Sequence, residues 1–264
     1  MVKEKKQGDR PLVGLALGGG AARGFAHIGV LKVLEEERIP IDFVAGTSIG
    51  SLIGALHCAG VRWQEIVSIT NGISWGDLVK PAWPNLGLVR SDRLEAVIGK
   101  FINQSDFEDL AIPFKAVAVD IVEGQAVILG HGAIAPAVRA SCSIPGIFSP
   151  VELDGRLLVD GGVLNSVPAD VVKDMGADVV IAVNLNADRK KHGKPENVLD
   201  MMFYSFSLMI AGATDRTLRY ADIVIEPDLH DMSYYALKKK DVAIARGESA
   251  ARSRLAAIRE RIME

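Results

Sequence analysis

The chain holds 264 residues, 49% of them hydrophobic, with 26 glycines, a formal net charge of −3 and a pI near 6.0. That balance gives no broad electrostatic case for nucleic acid, and two cysteines, Cys58 and Cys142, make no disulfide framework and fit a reducing compartment. The length suits a single α/β domain with a large buried sheet and many tight turns.

Residues 1–10 are basic and residues 11–22 apolar, a mimic of a secretory signal. Three consecutive glycines, Gly18, Gly19 and Gly20, would break the helix such a signal needs. No apolar run approaches the ~20 residues of a membrane span; the longest, near residues 201–212, carries serines and a tyrosine. A soluble cytoplasmic protein is expected, with peripheral contact at the inner membrane surface if its substrate is a lipid. Residues 11–17 read as a buried strand, followed by Gly18-Gly19-Gly20-Ala21-Ala22-Arg23-Gly24 and a helix to about Glu37. A P-loop would end in Gly-Lys-Ser/Thr, which is absent, and a dinucleotide fingerprint needs a glycine where Arg23 stands. Bare amides at a helix N-terminus suit an oxyanion hole, since missing side chains let an acyl oxygen approach the backbone. Arg23 either adds positive charge there or holds the loop.

Next, residues 41–45 read as a short buried strand and residues 49–59 as a helix. Between them, Gly46-Thr47-Ser48-Ile49-Gly50 has the pattern of a nucleophile elbow, in which a serine on a tight turn is lifted clear of the sheet. A turn with a serine N-cap is the competing reading. Residues 73–89 open on Ile73, close on Val89 and carry Trp75, Pro81, Trp83, Pro84, Leu86 and Leu88 among few charges. They read as a lid or membrane-interface patch, or as an ordered loop whose tryptophans cap the core. A helix over 91–101, strands over Phe114–Asp120 and Gln125–Leu129, and a helix over 133–140 follow.

The apolar run at 156–159 leads into Asp160-Gly161-Gly162. An aspartate ending a strand stands where loops build sites, although Asp-Gly is also a common plain turn. Beyond it lie a helix over 169–175, a strand over 178–184, a helix over about 196–219 and a strand over 222–226. Met201, Met202, Phe203, Phe206, Leu208 and Met209 on the long helix could line an acyl groove, form a homo-oligomer face or simply pack in the core. Residues 247–264 alternate Arg and Glu with Ala, Leu and Ile and read as a solvent-facing amphipathic helix. Nearly continuous apolar strands alternating with helices predict a three-layer α/β/α fold with a mostly parallel central sheet.

Taken in order, Gly18-Gly19-Gly20-x-x-Arg23-Gly24, Gly46-x-Ser48-x-Gly50 and Asp160-Gly161-Gly162 resemble the patatin-like phospholipases, in particular the short bacterial members. Residues 139–150, Arg-Ala-Ser-Cys-Ser-Ile-Pro-Gly-Ile-Phe-Ser-Pro, resemble the segment that precedes the aspartate in that family. The likeness runs from about Leu12 to Asp228, which implies a catalytic domain over 11–228 and a helical extension, 229–264, packed on it. It implies a Ser–Asp dyad with Ser48 as nucleophile, Asp160 as base and Gly18, Gly19 and Gly20 as the oxyanion hole. Arg23, Gly46, Ile49, Gly50, Gly161 and Gly162 would support them. Arg23 stands one residue later than in the compact G-G-G-x-R-G form of the loop.

A Ser–His–Asp arrangement of the α/β-hydrolase kind would need a histidine after the acid. Of His27, His57, His131, His192 and His230, only His230 is kept as a reserve base. A carboxylate with an ordinary pKa of ~4 is a weak base for serine, so Asp160 needs a dry site that raises its basicity. Cys142 is a rival nucleophile on paper or a small apolar filler. No metal-ligand pattern is present, so neither a metal nor a cofactor is expected. The expected activity is hydrolysis of acyl esters, phospholipids or lysophospholipids, through a covalent acyl-enzyme. A thioesterase or carboxylesterase on the same dyad, or a non-catalytic adaptor on the same fold, are the alternatives.

Overall fold

The computed structural model describes residues 10–71, 80–81, 87–90, 95, 98–100, 102, 106–187, 194–196 and 198–263. In chain order its strands are β1 (Val13–Leu17), β2 (Phe43–Thr47), β3 (Lys80–Pro81), β4 (Gly87–Arg90), β5 (Phe114–Asp120), β6 (Gln125–Leu129), β7 (Gly146–Phe148), β8 (Val151–Leu153), β9 (Arg156–Asp160), β10 (Val179–Val183) and β11 (Ile223–Ile225). The α-helices are α1 (Ala26–Glu36), α2 (Ile49–Cys58), α3 (Trp63–Asn71), α4 (Ile134–Ser141), α5 (Ala169–Asp174), α6 (Val198–Leu218) and α7 (Lys240–Met263).

The central strands are buried on both faces because their side chains alternate between two helix layers. Val13, Leu15 and Leu17 of β1, Val44 of β2 and Ile181 and Val183 of β10 join one apolar cluster with α1, α2 and α7. Ala16, Ala45, Val180 and Ala182 face the other way, toward Val171 and Val172 of α5. This is the three-layer α/β/α arrangement. Among the described residues, four of the seven pairings in the main sheet are parallel: β11 with β10, β10 with β1, β1 with β2, and β2 with β5. The antiparallel pairings involve β6, β8 and β9. β3, β4 and β7 form a small second sheet.

One register positions the site. β2 runs parallel to β5 and ends where Thr47 pairs with Val117. β9 runs antiparallel to β5 and ends where Asp160 pairs with Ala118. Residues of both stretches pair with β6 on their other side, so β2 and β9 lie along the same edge of β5. Their C-terminal ends therefore meet head to head, one residue apart on β5.

The tail differs from the solvent-facing helix expected over 247–264. α7 begins at Lys240, and Ala243, Gly247, Ala251 and Ile258 are buried against the layer that holds α1. The two helices approach so closely that a Cβ on Gly247 would stand 1.9 Å from the Ala26 carbonyl oxygen, and one on Gly29 2.0 Å from that of Ile244. Small residues at i, i+4 and i+8 supply this contact, and they carry too little hydrophobicity to register as an apolar stripe. α3 and the short strands β7 and β8 were likewise not anticipated. Of the proposed lid, Trp75, Trp83, Pro84 and Leu86 lie outside the described residues, whereas Pro81 falls on β3 and Leu88 on β4. His192 also lies outside them. No helix among the described residues is long and apolar enough to cross a membrane.

Candidate active site

Ser48 follows β2 and precedes α2 with φ 54° and ψ −127°, a conformation that side chains rarely adopt. Close packing holds it there. A Cβ on Gly46 would stand 2.4 Å from the Gly50 carbonyl oxygen, and one on Gly50 2.1 Å from that of Leu17. The Ser48 amide donates to Ser141 Oγ at 2.9 Å, and Ser141 Oγ donates to the Val117 carbonyl at 2.6 Å. The elbow is thus tied to β5 through a buried hydroxyl.

Asp160 ends β9 and is fully buried. Its Oδ1 accepts the Gly162 amide at 2.7 Å, while Oδ2 has no hydrogen-bond partner among the described residues. Burial raises its pKa to about 7, opposed by the neighbouring Ser48 hydroxyl and the Gly162 amide, both of which favour the carboxylate. The head-to-head ends of β2 and β9 bring this carboxyl group to the serine.

The glycine loop lies over Ser48: a Cβ on Gly19 would stand 3.4 Å from Ser48 Cβ and 3.7 Å from Ser166 Oγ. Its amides divide into two pairs. Gly18 donates to Val183 O at 3.1 Å and Gly19 to Ser166 O at 2.9 Å. The amides of Gly20 and Ala21 have no protein acceptor among the described residues. Two of the three expected oxyanion donors are therefore occupied by the backbone, and the free pair lies one residue further along. The loop carbonyls are held as well. His27 Nε2 meets Gly18 O at 2.8 Å and Asn186 Nδ2 donates to Gly19 O at 2.8 Å. Burial lowers the pKa of His27 to about 4, so the ring is neutral and carries its proton on Nε2, facing that carbonyl.

Arg23 holds the loop. It is buried, donates through Nε to Met232 O at 2.9 Å and through Nη1 to Tyr234 Oη at 3.4 Å, and stacks 4.3 Å from the centre of the Tyr234 ring. Tyr234 in turn donates to Asn186 Oδ1 at 3.0 Å, and its carbonyl accepts the Ala22 amide at 2.9 Å. An apolar cluster of Ile144, Ile147, Phe148, Met202, Phe206 and Tyr234 packs beside Ala21. Phe206 and Ile210 reach within 3.3 Å of where a Gly162 Cβ would be, beside Asp160. The buried face of α6 thus borders the carboxylate, while its Met201, Leu208 and Met209 are exposed.

The remaining candidates stand apart from this constellation or are inert. Loss of solvent and the nearby Asp160 push the Cys142 thiol far above its usual pKa, so it stays protonated. His230 is exposed and bonded to Asp228 at 2.5 Å, and His131 is exposed beside Glu108. Among the described residues no group of three or more His, Cys, Asp or Glu could hold a metal ion. Sequence reasoning missed Ser141, Asn186 and Tyr234. Ser141 lies in the 139–150 segment already singled out, and Asn186 follows β10 at the carboxyl end of the sheet, where sites form. Tyr234 has no local signature.

A family profile described as patatin-like phospholipase matches residues 15–173. An uncharacterised NTE-family protein of Mycobacterium tuberculosis is 38% identical over 179 residues, 67% of this chain and 49% of that protein. A lysophospholipase of Aspergillus fumigatus is 35% identical over 184 residues, 66% of this chain and 12% of that protein. The chain thus spans about half the length of the mycobacterial relative and a small part of the fungal one. Among solved structures, VipD from Legionella pneumophila aligns with a TM-score of 0.65 at 13% identity, covering 97% of this chain and 72% of that one, a likeness of fold alone.

Proposed function

This chain belongs to the patatin-like phospholipase family, and on that premise we propose that it is a serine lipid acyl hydrolase acting through Ser48 and Asp160. The observation that carries the reading is a buried carboxyl group, raised to about 7, delivered to a strained serine by two strands that end against each other. A base of that strength is matched to neutral pH, where a general base is most effective.

Ser48 Oγ attacks the ester carbonyl carbon as its proton passes to Asp160 Oδ2. The oxyanion that forms is held by the free amides of Gly20 and Ala21. Collapse expels the alcohol, which takes the proton back from Asp160, and leaves an acyl ester on Ser48. Water then attacks this ester as one of its protons passes to Asp160. Collapse breaks the bond to Ser48 Oγ, which takes that proton back from Asp160, and the fatty acid leaves with both residues restored. The cluster of Ile147, Phe148, Met202 and Phe206 offers apolar surface to the acyl chain. A phospholipid or lysophospholipid substrate agrees with the activity named for the fungal relative.

Fluorophosphonate labelling of the purified protein tests this. Wild type is expected to label, faster as the pH rises through about 7, because the carboxylate is the active form. Ser48→Ala should not label, and Asp160→Asn should label about 10²–10⁴-fold more slowly. Folded wild type that neither labels nor releases fatty acid from lysophospholipid vesicles would falsify the reading.

A further inference from the structure

Each peptide unit is planar and trans, so the C=O of one residue and the N–H of the next point in opposite directions. This ties the free amide of Gly20 to the carbonyl of Gly19. Asn186 Nδ2 donates to Gly19 O at 2.8 Å, which fixes the plane of that peptide from its carbonyl side. Because a carbonyl oxygen only accepts, the Asn186 amide can face it only with its nitrogen, and Oδ1 is left to accept from Tyr234 at 3.0 Å. The preceding peptide provides the contrast. There Gly18 O meets His27 Nε2 while the Gly19 amide is taken by Ser166 O, so both ends are closed within the protein. Of these two peptides, only the second is held at its oxygen and open at its nitrogen; the next, Gly20–Ala21, is held at its oxygen by the Arg23 backbone amide at 3.0 Å and not by a side chain.

We infer that Asn186 is the positioning residue that aims the Gly20 N–H at the oxyanion formed on Ser48, and that it does so at the end of a relay from Arg23 through Tyr234. The inference rests on the esterase reading above. Every link donates in one direction: Arg23 Nη1 to Tyr234 Oη, Tyr234 Oη to Asn186 Oδ1, Asn186 Nδ2 to Gly19 O. Hydrogen bonds in such a chain polarise one another. A peptide whose oxygen receives a polarised donor has a more acidic N–H, so the buried guanidinium acts on the oxyanion without touching it. Asn186 is itself oriented, since its backbone amide donates to Asn184 Oδ1 at 3.1 Å.

The test compares Asn186→Asp, which presents an oxygen to Gly19 O, with Tyr234→Phe, which removes one hydroxyl and keeps the ring over Arg23. For hydrolysis of a water-soluble acyl ester, Asn186→Asp should lower kcat about 10²-fold, the scale of losing one oxyanion donor, with KM within about threefold. Tyr234→Phe should lower kcat by a smaller factor, and the double variant should be no slower than Asn186→Asp alone. An alkyl trifluoromethyl ketone, which forms a tetrahedral oxyanion on the serine, should lose affinity in parallel with kcat/KM. Should Asn186→Asp not fold, Tyr234→Phe carries the test through the same parallel loss of ketone affinity. Variants that retain kcat and ketone affinity, or losses that multiply in the double variant, overturn the relay while leaving the esterase reading intact. Wild type inert toward both ester and fluorophosphonate overturns both.

Discussion

Asp160 is fully buried and, among the described residues, bonds through one carboxylate oxygen only. Its pKa rises from 3.8 to about 7 because burial disfavours the charge. The folded state therefore holds the proton more tightly than the unfolded chain. Stability is lost as pH climbs from about 4 to about 7 and stays lower above that. Asp160→Asn removes this penalty while keeping an oxygen for the Gly162 amide. It should raise the unfolding free energy by an amount on the order of 2–4 kcal/mol at pH 8 and by almost nothing at pH 4. Thermal melts at the two pH values measure this, and an equal shift at both would count against a buried titrating carboxyl group. Ser48 and Asp160 were legible in the sequence because an elbow and a strand-ending aspartate each leave a local pattern of glycines. Asn186 was not, because its bond to Gly19 O spans 167 positions and constrains nothing nearby in the chain.

At the level of elements, the two helix layers and the order of the apolar strands were readable from runs of Val, Ile and Ala. The packing of α7 was not. Its contact with α1 depends on backbone approach at Gly29 and Gly247, and its exposed charges dominate any hydropathy reading. Lys32–Glu248 at 2.7 Å and Arg252–Glu36 at 2.7 Å flank the contact, but partly exposed pairs of this kind contribute little, ~0–1 kcal/mol. Gly247→Val forces side-chain atoms into the carbonyl of Ala26, and overpacking of this sort costs about 1–3 kcal/mol or more. Urea titration should place Gly247→Val at least about 2 kcal/mol below wild type and Arg252→Ala within about 1 kcal/mol of it. The reverse ranking would mean that charge, and not backbone contact, holds the helix.

For the molecule as a whole, the family match ends at residue 173, yet Asn186, Met232 and Tyr234 beyond it hold the glycine loop. Leu229, Met232, Ala243, Ala251 and Ile258 belong to the same apolar cluster as β1 and α1. A chain shortened to residues 1–228 should therefore lack both a cooperative melting transition and fluorophosphonate labelling. Cooperative melting of that fragment would show that residues 229–264 are dispensable to the core. The clamp also sets an order of events during synthesis, which proceeds from the N-terminus. Ser48 and Asp160 leave the ribosome well before Tyr234 does, so a half-made chain carries both without the fastening that holds the loop above Ser48. On the esterase reading, the loop that receives the oxyanion is thereby left unfastened until Tyr234 has been made, and acyl transfer waits on that late segment.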